Sequence, residues 1–431
     1  MFVSYKVGIL GMGTVGTGVA KILLDPVGRH FILGAVEIYR VGVRSLTRKR
    51  EIELDPSIYT DNLEAIVTDP NIDIVVELLG GIEPARSLIL QAIAHGKHIV
   101  TANKAVLARH GDEIFTAAKA KGVYVMLEAS VAGGIPIIQI LKQALCANKI
   151  TAVTGIINGT TNYILTRMSA SPNESFEEIL ADAQALGYAE ADPTADVDGY
   201  DAADKIAILA SLAFGDRIKL EQIYREGIRH VTSTDVARAA ELGFVIKLLA
   251  IARNYENKGL EIRVHPTLVP KDHPLASING VTNAITVVGD PIGEVVFSGA
   301  GAGMGATASA VVADIINVLS SVKANPQNLN QLMGCSHQHY ATVNPISAST
   351  SQYYLRLLAF DQVGVIGDLG HCFGKHQVNL ETILQKHHDQ GLAEIIVVTK
   401  TVSELNLQAA LTEIKTLSAL HSVPSVLRLL F

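Results

Sequence analysis

The chain of 431 residues has no tryptophan, three cysteines, and aromatic side chains at only 5% of its length. Cys146, Cys335 and Cys372 are odd in number and far apart, which excludes a disulfide framework or zinc-ribbon spacing and fits a reducing cytoplasm. Basic residues are in deficit: 35 Lys and Arg face 42 Asp and Glu, a formal charge of −7, so no basic face for nucleic acid is expected. Apolar runs such as IAILASLAF (206–214) fall short of the roughly 18 residues a membrane span needs. The strand-like YKVGIL (5–10) leaves no room for a secretory leader, and a soluble cytoplasmic protein is expected. What the chain does have is apolar material: 48% hydrophobic residues in a length exceeding one core predict several globular domains.

YKVGIL leads into GMGTVG (11–16) and then into helical spacing at Val15, Val19, Ile22 and Leu23. Strand, glycine loop and helix in that order predict a dinucleotide site, with Gly11 making the turn, Gly13 admitting a pyrophosphate and Gly16 allowing close packing. Thr14 and Val15 open the helix whose N-terminus would face phosphate. Arg44, at the end of a strand read as EIYRVGVRSL and followed by Arg48, Lys49 and Arg50, favours NADP. If that strand instead ends at Val36, Glu37 favours NAD. IDIVVELLGG (72–81) and KHIVTANK (97–104) read as further parallel strands, whose polar ends make Thr101, Asn103 and Lys104 crevice candidates. After strand VYVMLEAS (123–130), Glu128 and the carbonyls of VAGGIP (131–136) form an oxygen set suited to a hard cation.

From Ile137 the texture changes to a helix IIQILKQALCA, a strand KITAVTGIIN, and NGTTNYILTRM, where Asn158 either caps a helix or meets a ligand. FEEILADAQALG is amphipathic, with Gly187 as its C-terminal glycine. The stretch GYAEADPTADVDGYDAADK (187–205) then gathers six acidic residues and one lysine. An EF-hand register fails, because Thr194 and Lys205 fall where the first and last ligands belong. YDAADKIAILASLAF reads as a helix burying Ala202, Ile206, Leu209 and Ala213, with Asp201 and Lys205 one turn apart beside that face. Lys205 so placed is a candidate proton carrier, while Glu190 and Asp201 can hold a substrate ammonium. Asp192, Asp196 and Asp198 are read as shaping the loop or beginning the helix, and Asp204 has no assigned role. GAGAGMGATAS (299–309) is a second glycine cluster before a helix near 306–320.

GMGTVG, TANK, EASVAGGIP, NGTTNYIL, LGYAEADPTADVDGYDAADK and GAGAGMGATAS, in this order, resemble the homoserine dehydrogenase family along nearly the whole chain. The resemblance implies NAD(P)-linked interconversion of L-homoserine and L-aspartate 4-semialdehyde in threonine, methionine and isoleucine biosynthesis. It implies Lys205 as catalytic lysine, Lys104 beside the nicotinamide, and Glu190 and Asp201 on the amino acid. It further implies sodium or another monovalent cation held by Glu128 with the carbonyls of Val131, Gly133 and Ile135, and close approach of Gly187 and Gly301 to the cofactor. Ala300 stands where the family commonly has proline.

The polar stretch 331–351 reads as a linker, and CSHQH within it offers Cys335, His337 and His339 but no fourth metal ligand. The remainder has a β-α-β-β-α-β order and resembles an ACT domain, which implies an amino-acid effector such as L-threonine. The expected α/β architecture is a Rossmann-type doubly wound sheet over 1–136, completed by the helix near 306–320, an α+β catalytic domain over 137–330, and a ferredoxin-like ACT domain over 352–431. A homodimer or higher homo-oligomer is the expected assembly. Two other readings compete: semialdehyde dehydrogenase chemistry on Cys146, which lacks a neighbouring histidine in sequence, and a dinucleotide-sensing regulator, which has no need of Lys205 among carboxylates.

Overall fold

A computed structural model describes residues 4–256, 259–325, 328–334, 337, 339–388 and 391–430, and divides the chain into two compact units. The first comprises residues 1–153, 204–220 and 285–341, and the second 154–203, 221–284 and 342–431.

In the first unit, strands β1 (Tyr5–Leu10), β2 (Val36–Gly42), β3 (Tyr59–Thr60), β4 (Ile74–Glu77), β5 (His98–Thr101) and β6 (Val125–Met126) form a parallel sheet ordered β3-β2-β1-β4-β5-β6. Helices α1 (Thr14–Leu24), α2 (Leu63–Thr68), α3 (Ala85–Ala94) and α4 (Lys104–Lys121) alternate with these strands. This is the expected doubly wound sheet. Its central strands are apolar on both faces because helices cover both, and Ile74, Val75 and Val76 are fully buried. The order reverses between β1 and β4, the switch point beside which ligands bind in such sheets.

Two stretches differ from their expected form. IIQILKQALCA is one turn, α5 (Ile137–Gln139), continuing into a π turn over Ile140–Ala144, where the Leu145 amide reaches back to the Ile140 carbonyl at 2.8 Å. VYVMLEAS keeps only Val125–Met126 as strand; Glu128–Ser130 is a 3-10 turn held by Ser130 N to Leu127 O at 2.9 Å.

Beyond this point come β7 (Lys149–Ile156), α6 (Gly159–Ala170), α7 (Phe176–Ala185), α8 (Thr194–Val197), α9 (Tyr200–Phe214), β8 (Tyr224–Arg225), α10 (Ser233–Glu241), β9 (Phe244–Tyr255), β10 (Gly259–Pro270), β11 (Thr282–Asp290), β12 (Gly293–Ala300) and α11 (Met304–Ala324). Helix α11 belongs to the first unit, and by length and composition it is apolar enough to cross a membrane, a run the sequence reading passed over. Its Ala308, Val311, Ile315 and Val318 are instead fully buried in the core that also contains Val7, Ile9 and Val19. Close packing on α1 is possible because Gly18 has no side chain: a Cβ there would lie 2.8 Å from Met304 Cγ and 2.9 Å from Ala308 Cβ.

The C-terminal part of the second unit has β13 (Thr350–Ser351), β14 (Tyr353–Phe360), α12 (Val365–Lys375), β15 (Leu380–His388), β16 (Leu392–Thr399), β17 (Val402–Ser403), α13 (Glu404–Ile414) and β18 (Leu420–Leu429). Strands β18-β14-β16-β15 are antiparallel neighbours, the ferredoxin-like order expected of an ACT domain, with Phe373, Leu407 and Leu411 in its core. Strand β18 also pairs in parallel with β10 through Thr267–Arg428 and Leu268–Leu429, extending that sheet. The stretch read as a linker makes bridges within each unit, Arg217 with Tyr340 and Leu260 with Val343. Cys335 lies outside the described residues.

His98 opens β5 and accepts a hydrogen bond from the Tyr124 amide on Nδ1 at 3.0 Å, and burial pulls its pKa down to about 4. The folded state therefore binds fewer protons than the unfolded chain between about pH 6.5 and 4, so this site's contribution is complete above 6.5 and is lost as pH falls. Acidification to pH 5 is expected to cost wild type on the order of 1–2 kcal/mol more than His98→Gln, measured by denaturant unfolding at pH 7 and 5. Equal losses would contradict this.

Candidate active site

The glycine loop takes its shape from close backbone approaches. Gly11 has φ +103, and a Cβ on it would sit 2.8 Å from the Leu78 carbonyl oxygen; on Gly16 it would sit 2.2 Å from the Gly11 oxygen. Gly13, the helix N-cap, has open space on its Cβ side and no side-chain cap, so the first amides of α1, with Thr14 and Val15, are left toward that space. The residues fit a pyrophosphate. Glu37 pairs in register with Lys6 at the start of β2, the end opposite the loop, whereas Gly42 pairs with Leu10. The alternative that placed Glu37 on a ribose is therefore corrected. Arg44 lies two residues beyond the end of β2, exposed and without a hydrogen bond or ion pair among the described residues.

At the ends of β4 and β5 the side chains turn inward. Glu77 is fully buried and accepts bonds from Thr101 Oγ1 at 2.6 Å, the Leu79 amide at 2.8 Å and Asn103 Nδ2 at 3.5 Å; burial raises its pKa. Thr101 spends its hydroxyl on this carboxylate and on the Asn103 amide. Asn103 caps α4 through the Val106 amide at 3.3 Å and donates to Gly81 O at 2.8 Å, which fixes Lys104 as the first helical residue. The sequence reading missed Glu77, although it is the single charge in an otherwise apolar strand.

Glu128 is 2% exposed; its two oxygens accept the Ile138 and Gln139 amides at 2.9 and 2.8 Å, and burial pushes its carboxyl up to about 7. Asp314 of α11, also missed, accepts the Glu128 amide at 2.8 Å and is pushed up to about 7 by its own burial. Ala132 and Gly133 have φ +54 and +34, curling the backbone between the buried Val131 and Ile135. A Cβ on Gly133 would lie 2.8 Å from the Gly301 carbonyl oxygen, and the Gly134 amide donates to Ala300 O at 2.9 Å. The backbones of VAGGIP and GAGAG thus meet. As a donor set, a carboxylate and backbone carbonyls are hard oxygen ligands, which suit an alkali or alkaline-earth cation rather than a transition metal.

In the second unit, Asn158 caps a helix, the first of its two expected roles, and also binds two carboxylates. Its Oδ1 caps α6 at the Thr161 amide, 2.9 Å, while Nδ2 donates to Asp201 Oδ2 at 2.9 Å and Asp196 Oδ1 at 2.7 Å. Asp196 also receives Thr160 Oγ1 at 3.1 Å, Asp192 receives the Thr194 amide at 3.1 Å, and Asp198 pairs with Arg229 at 2.6 Å, so these three shape the loop. Short helix α8 within it was not expected. Gly187 has φ +75 directly after α7, as its C-terminal role requires. Glu190 is exposed, its carboxylate without a hydrogen bond among the described residues, and Gln184 Nε2 holds its carbonyl at 3.0 Å. Helix α9 spans the expected residues, with Asp201 buried and Lys205 half-buried one turn on. Asp204 accepts Arg109 NH1 of α4 at 2.9 Å.

Fold, glycine loop and carboxylate-lysine helix together define an oxidoreductase that uses a nicotinamide dinucleotide and carries an ACT domain. Family models match in three places: "Homoserine dehydrogenase, NAD binding domain" at residues 11–128, "Homoserine dehydrogenase" at 136–316 and "ACT domain" at 353–419. A homoserine dehydrogenase of Synechocystis sp. is 58% identical over 430 residues, 99% of each chain. The crystal structure of a homoserine dehydrogenase from Thiobacillus denitrificans matches with TM-score 0.91 and 43% identity over 99% of this chain and 98% of that one. A hyperthermophilic archaeal homoserine dehydrogenase in complex with NADPH matches with TM-score 0.63 and 28% identity over 74% of this chain and 98% of its own. The chain belongs to the homoserine dehydrogenase family.

The loop geometry separates two glycines. Gly16→Ala is expected to lower stability by on the order of 2 kcal/mol, since backbone must move, while Gly13→Ala leaves the melting temperature unchanged. Thermal unfolding of both variants checks this; equal melting temperatures would refute the loop geometry.

Proposed function

We propose that this chain interconverts L-homoserine and L-aspartate 4-semialdehyde with NADP preferred over NAD, Lys205 carrying the proton of the reacting oxygen. The observation that carries the reading is the ion pair at 2.9 Å between Arg109 and Asp204, which ties the helix that begins at Lys104 to the helix bearing Lys205. When bound, the nicotinamide supplies hydride acceptance and donation. The chain's own residues do the rest. Asp201, held by Asn158, and Glu190 bind the substrate ammonium; Lys205 takes the hydroxyl proton during oxidation and returns it during reduction, with Lys104 assisting at the carbonyl oxygen.

Gly11, Gly13, Thr14, Val15 and Gly16 hold the pyrophosphate, with Thr101, Lys104, Gly187 and Gly301 nearer the nicotinamide. Thr101 acts through its backbone, because its hydroxyl is engaged by Glu77. Arg44, exposed beyond β2, pairs with the 2′-phosphate. Glu128 with the carbonyls of Val131, Gly133 and Ile135 takes sodium or a similar cation, which replaces the proton favoured by burial. The ACT domain binds an amino acid, L-threonine being the proposed feedback effector in threonine and methionine biosynthesis. A cytoplasmic homodimer is the proposed state; edge strand β12 leaves Val296 40% exposed, a surface open to pairing.

Lys205→Ala should lower kcat by about 10²-fold or more, with NADPH affinity unchanged, in an assay following reduced cofactor with L-homoserine. Near-normal turnover would refute the role. Arg44→Ala should lower kcat/KM for NADP by about tenfold to a hundredfold and leave that for NAD unaltered; equal loss with both would remove Arg44 from the phosphate site.

A further inference from the structure

We infer that the Arg109–Asp204 ion pair sets the position of Lys205, so that both residues are positioning residues for the dehydrogenase reaction. The inference rests on the reading of Lys205 as proton carrier. Asp204 immediately precedes Lys205 in the first turns of α9, and Asp201, Asp204 and Lys205 fall on one face at spacings of three and four. A rotation of that turn therefore moves the substrate carboxylate and the lysine together.

Arg109 is the brace on the other side. Its NH1 donates to Asp204 Oδ2 at 2.9 Å and to the Ala105 carbonyl of its own helix at 3.2 Å. The guanidinium is thus fixed to the backbone at the residue after Lys104. The Asp204 side chain is only 11% exposed, against 35% for Arg109. Displacing either partner would leave a largely buried charge uncompensated, so the pair resists movement of this turn against α4. A second tie lies just past the far end of α9, where Arg217 NH2 reaches Thr116 Oγ1 of α4 at 3.4 Å, a weaker contact. Helix α9 is strapped to α4 at both ends, tightly where Lys205 emerges.

The test compares full-length Asp204→Asn, Arg109→Ala, their double variant, Arg109→Lys and Lys205→Ala. Turnover is expressed per NADPH-binding site so that misfolded protein does not count. Each single variant is expected to lower kcat by about tenfold to a hundredfold, with KM for NADP unchanged, because small misplacements of a reacting group cost that much. The double variant should be no slower than the worse single one, and Arg109→Lys should recover part of the loss. A plain structural brace would lower the melting temperature and the number of NADPH-binding sites while kcat per site stayed within about twofold of wild type. That result for Asp204→Asn, with Lys205→Ala inactive, would overturn the inference and leave the Lys205 reading intact. Near-normal turnover of Lys205→Ala would remove the reading itself. Should Asp204→Asn fail to fold, the half-exposed Arg109 variants decide by the same criteria.

Discussion

Helix α9 must start at one place and in one direction, and the second unit is built to make it do so. Gly199 turns the chain with φ +79 directly before Tyr200. The loop before it packs so closely on Gly227 that a Cβ there would stand 2.3 Å from the Val197 oxygen and 2.6 Å from Asp198 Cα. Arg225 donates to the Asp198 carbonyl and lies over the Tyr200 ring at 3.3 Å, while Arg229 takes the Asp198 carboxylate. With Asn158 gripping Asp196 and Asp201, the start of the helix is fixed on several sides. Such over-determination suits the proposed role of Lys205, since reacting groups must be held within fractions of an ångström.

Within the same unit, buried and half-buried charges brace the ACT part internally and tie it to α10 and to Glu226 beyond β8. Arg428 of β18 pairs with Glu404 at 2.9 Å and with Glu226 at 3.1 Å, and Tyr353 donates to Glu404 at 2.7 Å. Arg356 of β14 pairs with Asp235 of α10 at 2.7 Å, and Arg238 of α10 with Glu394 of β16 at 2.7 Å. Buried pairs add little net stability against apolar substitutes, but each leaves an uncompensated charge if its partner moves. They therefore specify one docking of the ACT sheet on α10 and β8. Glu226 and Arg225 are adjacent, so the residues that receive the ACT domain adjoin those that shape the loop before α9.

Much of this was legible in the sequence where local rules dominate. The glycine loop, the span of α9, the cap at Asn158 and the ACT order each follow from spacing and turn chemistry that tertiary contacts do not override. The linear chain hid partners far apart in number. Asp204 has no meaning until Arg109 faces it, Asp314 none until the Glu128 amide reaches it, and the tie from Asn158 to Asp201 joins residues 43 apart in the chain. Local irregularity was equally hidden. The π turn at Ile140–Ala144 has the residues of an ordinary helix, and the short strand β6 was overrun because Leu127 and Ala129 are as apolar as the strand itself. That Glu37 starts β2 rather than following its end is a matter of strand register, visible only in the pairing with β1.

Whether Lys205 moves a proton can be tested by chemical rescue. Lys205→Ala would be assayed with L-homoserine, NADP and a series of small primary amines of differing basicity. Restored turnover is expected, saturating with amine and varying in rate with amine pKa, as proton transfer in the transition state requires. Turnover unaffected by every amine, or restored equally by quaternary ammonium ions that carry no proton, would contradict it.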